Sequence, residues 1–101
     1  MGNMGRYHAD YLSQGKVPRC SLAAIATSVP DKAAKLKNVA VFSDGEAMIK
    51  SGAVDAVLIC TPHYSHTTLG ISALENGLHV MVEKPISVHK ADCERLIDAA
   101  R

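Results

Sequence analysis

Val54-Asp55-Ala56-Val57-Leu58-Ile59-Cys60-Thr61-Pro62 and His79-Val80-Met81-Val82-Glu83-Lys84-Pro85 are two short apolar runs, each passing into a proline-containing loop with polar side chains. Between them a helix-like segment runs from about His66 to Asn76 and stops at Asn76-Gly77, a pair suited to a left-handed C-cap. Strand, helix and strand in succession make a unit with two parallel strands. The first run is apolar throughout except for Asp55, as expected of a strand buried on both faces. In an open parallel sheet, ligands sit in the crevice beyond the carboxyl ends of the strands. Thr61 to His66 and Glu83 to Pro85 would occupy that crevice, so function should be read there.

The same alternation extends outward. Downstream, Cys93, Leu96, Ile97 and Ala100 repeat at i, i+3, i+4, i+7, the stripe of an amphipathic helix. Upstream, Ser43 and Glu46 have capping-box spacing and open a helix that runs through Ile49 to Ser51-Gly52. Val39 to Phe42 reads as a strand, Asp31 to Lys37 as a short helix, and Ser21 to Thr27 as a strand bounded by Pro18 and Pro30. The first helix begins near Arg6, with His8, Tyr11 and Leu12 on one face, and ends at Gly15 and Pro18. The expected fold is a Rossmann-like, doubly wound α/β domain over residues 1–101: a parallel sheet in a three-layer αβα arrangement.

Composition narrows the function. The chain has 101 residues, 48% of them hydrophobic, enough to form one core. Eleven basic and ten acidic residues leave a net charge of +1, so neither nucleic acid nor an anionic membrane is an expected partner. No apolar run reaches the roughly 20 residues of a membrane span. Met1 to Arg6 has no apolar signal core, so no secretory signal is expected. Three cysteines without C-x-x-C spacing imply neither a disulfide framework nor a zinc site. Cys60 and Cys93 read as small buried hydrophobes in a reducing cytoplasm. His63 and His66 form an H-x-x-H pair, but a structural metal site needs four ligands, so a helix-start or packing role is preferred and no metal is expected. His8 and His79 read as packing residues, and His89 as solvated.

The opening turn, Gly2-Asn3-Met4-Gly5, is the back half of G-x-G-x-x-G, in which backbone approaches a pyrophosphate and a helix N-terminus donates to it. Gly2, Asn3 and Met4 are thus candidate phosphate contacts. In that motif a strand precedes the glycines. Here the first strand is apparently missing, which would leave neighbouring edges unpaired. Dinucleotide folds place an acid about 20 residues after the glycines to bind the adenosine ribose. Ala26-Thr27-Ser28 offers no acid there, and Thr27 and Ser28 could instead bond a 2′-phosphate. The cofactor expected is NAD or NADP, with a slight lean to NADP.

Gly-Asn-Met-Gly-Arg-Tyr-His8, Asp55-Ala-Val-Leu-Ile-Cys-Thr-Pro-His-Tyr-Ser-His66 and Gly77-Leu-His-Val-Met-Val-Glu-Lys-Pro85 together resemble the glucose–fructose oxidoreductase, inositol dehydrogenase and MocA (Gfo/Idh/MocA) family of NAD(P)-dependent oxidoreductases. The resemblance covers the whole chain but only the family's N-terminal cofactor domain, the C-terminal substrate domain being absent. It implies hydride transfer between a nicotinamide cofactor and a hydroxyl-bearing carbon of a sugar, polyol or similar molecule. By the resemblance Lys84 is catalytic, near the nicotinamide ribose and the substrate, aiding orientation and proton transfer. Glu83 would bind that ribose or hold Lys84, and Pro85, often after a cis peptide in the family, would fix the turn that aims Lys84. Thr61, Pro62 and His66 would line the cofactor groove. His63 stands where the family often has Asn. The full-length protein is expected to be a cytoplasmic homo-oligomer whose missing domain builds the interface, and this fragment alone to be inactive. The alternative is a stand-alone, non-catalytic dinucleotide-binding or sensing module, against which Glu83-Lys84-Pro85 argues, since mere binding has no need of that lysine.

Overall fold

The computed structural model describes residues 2–29, 31 and 36–101. Its elements are α1 (Asn3–Ser13), β1 (Ala24–Ala26), β2 (Ala40–Phe42), α2 (Gly45–Lys50), β3 (Ala56–Ile59), a 3-10 turn (His63–Ser65), α3 (His66–Glu75), β4 (His79–Val82) and α4 (Lys90–Ala100). The helix expected over Asp31–Lys37 falls mainly outside the described residues. The strands form two parallel pairs, β1 with β2 and β3 with β4. Ala24 lies opposite Ala40 in one pair, and Ala56 opposite His79 in the other. In the doubly wound order the two pairs flank the strand that precedes the glycine turn. No described residue occupies that position, and the strands stand as two parallel pairs, as the missing first strand led one to expect.

Each pair has its own core. Val57 and Ile59 of β3 meet Ile49 of α2 and Ala73 of α3, with Leu69, Val80 and Val82 packed around them. Ala9 of α1 meets Ile25 of β1, with Leu22, Leu36 and Val39 around that contact. The two-residue alternation of a strand decides which side chains take part. Val57 and Ile59 point inward, whereas Ala56 is exposed and Leu58 half-buried. β3 is therefore deeply buried on one face rather than two, and Met81, opposite Leu58, is 67% exposed.

Helix ends explain most boundaries. Asp44, not Ser43, caps α2, accepting the Ala47 N–H at 2.9 Å. With Asp44 as N-cap, Ser43 lies one residue outside the helix and Glu46 falls at the second helical position rather than the third, so the expected capping box is not formed. At the end of α3, Gly77 adopts φ +79°, a conformation costly for any residue with a Cβ. Leu78 N–H then donates to Ala73 C=O and Gly77 N–H to Leu74 C=O, both at 3.0 Å, a Schellman closure. This turn feeds the chain directly into β4. On α1 the inward stripe is Gly5, His8, Ala9 and Leu12, while Tyr11 lies outside, stacked on Tyr7 at 6.2 Å. Among the described residues no helix is long and apolar enough to cross a membrane.

α3 and α4 pack tightly at Gly70, where a Cβ would lie 2.6 Å from Cδ1 of the buried Leu96. Leu96→Ala should cost about 2–4 kcal/mol in urea unfolding, as for other buried leucines. Gly70→Ala should destabilise the wild type through that contact. In the Leu96→Ala background the same change should be neutral or stabilising by up to about 1 kcal/mol, the helix preference of alanine over glycine. Equal effects in both backgrounds would contradict the close packing.

Candidate functional site

Parallel pairing delivers the ends of β3 and β4 to the same edge. Ile59 pairs with Val82, and the Glu83 N–H donates to Ile59 C=O at 3.0 Å, carrying the ladder one residue past β4. The Cys60–Pro62 and Glu83–Pro85 loops therefore start side by side. His66, at the first turn of α3, holds them together. It is 1% exposed, the largest fully buried side chain among the described residues. Its Nδ1 lies 2.9 Å from Pro85 C=O and its Nε2 2.8 Å from Thr61 C=O. Both partners are carbonyl oxygens, which only accept, so a ring N–H faces one loop while the other ring nitrogen lies against the second. His66 thus meets the crevice through backbone it fixes rather than through an exposed ring.

Smaller contacts complete the loops. Ser65 Oγ donates to Thr61 Oγ1 at 2.7 Å, and Thr67, buried in the first turn of α3, donates to Ser87 Oγ at 3.2 Å. Thr61, Pro62 and His63 are exposed, His63 lying edge-on to Tyr64 at 6.4 Å. The Lys84–Pro85 peptide is cis. Lys84 is exposed, and among the described residues its ammonium makes no ion pair, which leaves Nζ available.

Glu83 is the electrostatic centre. Oε1 accepts from His8 Nε2 at 2.9 Å and Oε2 from the Lys84 N–H at 3.1 Å. The His8 hydrogen bond, and after it the Lys84 N–H, holds the carboxyl below the ordinary glutamate value. Burial, with the Glu83 charge second, pushes the Cys60 thiol up, so it is a poor nucleophile. His8 is thus a polar member of the cluster and not the packing residue its sequence position implied. His79 is also exposed, one register position before the buried stretch.

The remaining candidates lie elsewhere. Gly2 is the exposed N-cap of α1, extended at φ −78°, with no side-chain cap on the helix and open space where a Cβ would stand. The first N–H groups of α1 thus have no intrahelical partner, as a phosphate cradle requires. Thr27 and Ser28 follow β1 in the other strand pair. Thr27 is buried and its Oγ1 accepts the Val29 N–H at 3.1 Å, whereas Ser28 is exposed. No group of three or more His, Cys, Asp or Glu side chains able to hold a metal ion occurs among the described residues.

A family model described as an oxidoreductase family with an NAD-binding Rossmann fold matches residues 1–101. The chain belongs to this Gfo/Idh/MocA family. Myo-inositol 2-dehydrogenase of Thermotoga maritima is 30% identical over 105 aligned positions, covering 100% of this chain and 31% of that protein. Inositol 2-dehydrogenase of Rubrobacter xylanophilus is 33% identical, covering 97% of this chain and 29% of that protein. The crystal structure of scyllo-inositol dehydrogenase from Lactobacillus casei, with bound NAD(H) and scyllo-inositol, superposes with a TM-score of 0.90 at 30% identity. That match covers 98% of this chain and 30% of the solved one. The chain therefore spans under a third of the length of these relatives, and corresponds to the family's NAD-binding domain.

In this Gfo/Idh/MocA domain, truncating His66 leaves a cavity between the loops and removes the ring's polar contacts to both. His66→Ala should cost about 2–4 kcal/mol in chemical unfolding, and a change below about 0.5 kcal/mol would refute a structural clasp. A second expectation concerns pH. A carboxyl lowered in the fold stabilises it above the ordinary carboxylate range, and the contribution shrinks as pH falls below that range towards the lowered value. The stability gap between wild type and Glu83→Gln should therefore be full at neutral pH and close on acidification. A gap independent of pH would contradict the contacts of Glu83.

Proposed function

We propose that this chain is the cofactor half of an NAD(P)-dependent dehydrogenase that oxidises a ring hydroxyl of an inositol or related polyol or sugar. The observation that carries this reading is the Glu83-Lys84-Pro85 loop, held against the Thr61–His66 loop beyond two parallel strands, with an unpaired lysine at its tip. The relatives named above, all inositol dehydrogenases, support the substrate class. When bound, the nicotinamide exchanges a hydride with the substrate carbon.

This chain's own residues do the rest. Gly2, Asn3 and Met4 present backbone N–H groups to the pyrophosphate. Thr61, Pro62 and His63 border the groove, and Glu83 accepts from a ribose hydroxyl or keeps Lys84 in place. Lys84 Nζ donates to the substrate oxygen, orients it and relays its proton, a role worth typically 10²–10⁴-fold in rate. At the adenosine end Ser28 is accessible and Ala26-Thr27-Ser28 carries no acid, which suits NADP as well as NAD and leans to NADP; the buried Thr27 contributes less. The remainder of the protein supplies the substrate domain and, by this reading, the contacts of a homo-oligomer.

In the full-length protein, reduction of NAD and NADP should be followed against myo-inositol, scyllo-inositol and glucose. Lys84→Ala should lower kcat/KM at least about 100-fold while cofactor affinity stays within about threefold, equivalent to a change below 1 kcal/mol. Cofactor binding without turnover of any polyol or sugar would favour a non-catalytic sensing module. A firm preference for NAD would end the lean to NADP.

A further inference from the structure

We propose that His8 is a positioning residue, which ties the glycine-turn helix to Lys84 through Glu83. The proposal rests on the cofactor-domain reading above and adds a residue outside the crevice loops. His8 and Glu83 are 75 positions apart, one on α1 and one on the loop after β4, yet His8 Nε2 and Glu83 Oε1 are 2.9 Å apart. Among the described residues this is the one hydrogen bond from α1 to any element beyond residue 55. The helix whose N-terminus faces a pyrophosphate is thereby joined to the loop that carries the lysine.

The bridge has two spans. Glu83 uses one oxygen for His8 and the other for the Lys84 N–H, so the carboxylate cannot turn without releasing the lysine's backbone. An ionised carboxylate only accepts, hence Nε2 is the protonated nitrogen of His8. The ring is itself held: it lies edge-on to Tyr7 at 5.7 Å and next to the buried Ala9. The charged and titratable groups acting on Glu83 are His8, Lys84 and, from the β3 end, the Cys60 thiol. Lys84 lies on the carboxylate's own loop, which makes His8 the partner that sets its direction from outside.

A stabilising role is the competing explanation. Both side chains are partly exposed, at 28% and 22%, and pairs this open to water contribute little net stability. The contact is better suited to choosing one Glu83 rotamer than to holding the fold together. On the cofactor-domain reading, Glu83 so oriented would meet the nicotinamide half of the cofactor, and Thr27-Ser28 after β1 the adenosine half. Loss of His8 should therefore weaken one half and spare the other.

The test compares wild type, His8→Phe and His8→Gln in the full-length protein, titrated calorimetrically with NADH and with ADP. NADH affinity should fall about tenfold in His8→Phe, the scale of one hydrogen bond to a charged group. It should recover in His8→Gln, whose amide can still donate, and ADP affinity should be unchanged throughout. Equal losses for NADH and ADP, or no loss for either, would overturn the proposal. Carbon-detected NMR of the Glu83 carboxyl and the Lys84 amide shift provides a readout that needs no cofactor. In His8→Phe the carboxyl should titrate closer to its ordinary range and the Lys84 amide should move, with both reversed in His8→Gln. Unchanged spectra would reject His8 as a positioning residue even if NADH binds. A wild-type chain that binds no NADH but shows these shifts would instead fault the cofactor reading and leave the bridge standing. Should His8→Phe not fold, His8→Asn, too short to reach Glu83, takes its place.

Discussion

A buried imidazole ring, His66, joins the two loops on which the candidate chemistry depends. Backbone leaving parallel strands diverges unless something spans the gap, and carbonyl groups turned inward need donors. His66 places one ring nitrogen 2.9 Å from Pro85 C=O and the other 2.8 Å from Thr61 C=O, and its rigid ring fills the space between the loops. Neither loop has a hydrophobic side chain that could do both. The His66 contact to Pro85 C=O and the Glu83 carboxylate on the Lys84 N–H hold the backbone on either side of the lysine.

The rest of the fold places this clasp. Gly77 ends α3 in a left-handed turn and returns the chain into β4 without slack. The register of β4 on β3 then decides that Glu83, not Val82 or Lys84, makes the last ladder bond. A slip of one residue would turn Glu83 away from α1 and reverse every side chain of β4. Close packing of α3 on α4 at Gly70 and Leu96 steadies the helix that carries His66.

Stability and function are divided between different groups. Apolar burial around Val57, Ile59 and Ala73 supplies the folding energy of the second strand pair. Lys84, exposed and unpaired, contributes nothing obvious to it. An exposed lysine without an ion pair among the described residues is free to meet a ligand, the role proposed for it above. At Cys60, close by, burial and then the Glu83 charge push the thiol up, which keeps it from being a ready thiolate.

The sequence by itself determined the order of elements, the parallel strand–helix–strand unit, the stop at Asn76-Gly77 and the Thr61–His66 and Glu83–Pro85 loops. These are local or periodic signals, set by side-chain alternation, by glycine at positive φ and by proline. It was less informative wherever two nearby residues compete, as when Asp44 rather than Ser43 capped α2, or where helical phase alone had to choose Ala9 over Tyr11 as the inward residue. Only the tertiary structure decided that β3 hides one face, that His66 binds backbone on both loops and that His8 meets Glu83. Those facts depend on groups brought together from distant parts of the chain, and sequence periodicity carries the direction of a side chain but not the identity of what it will meet.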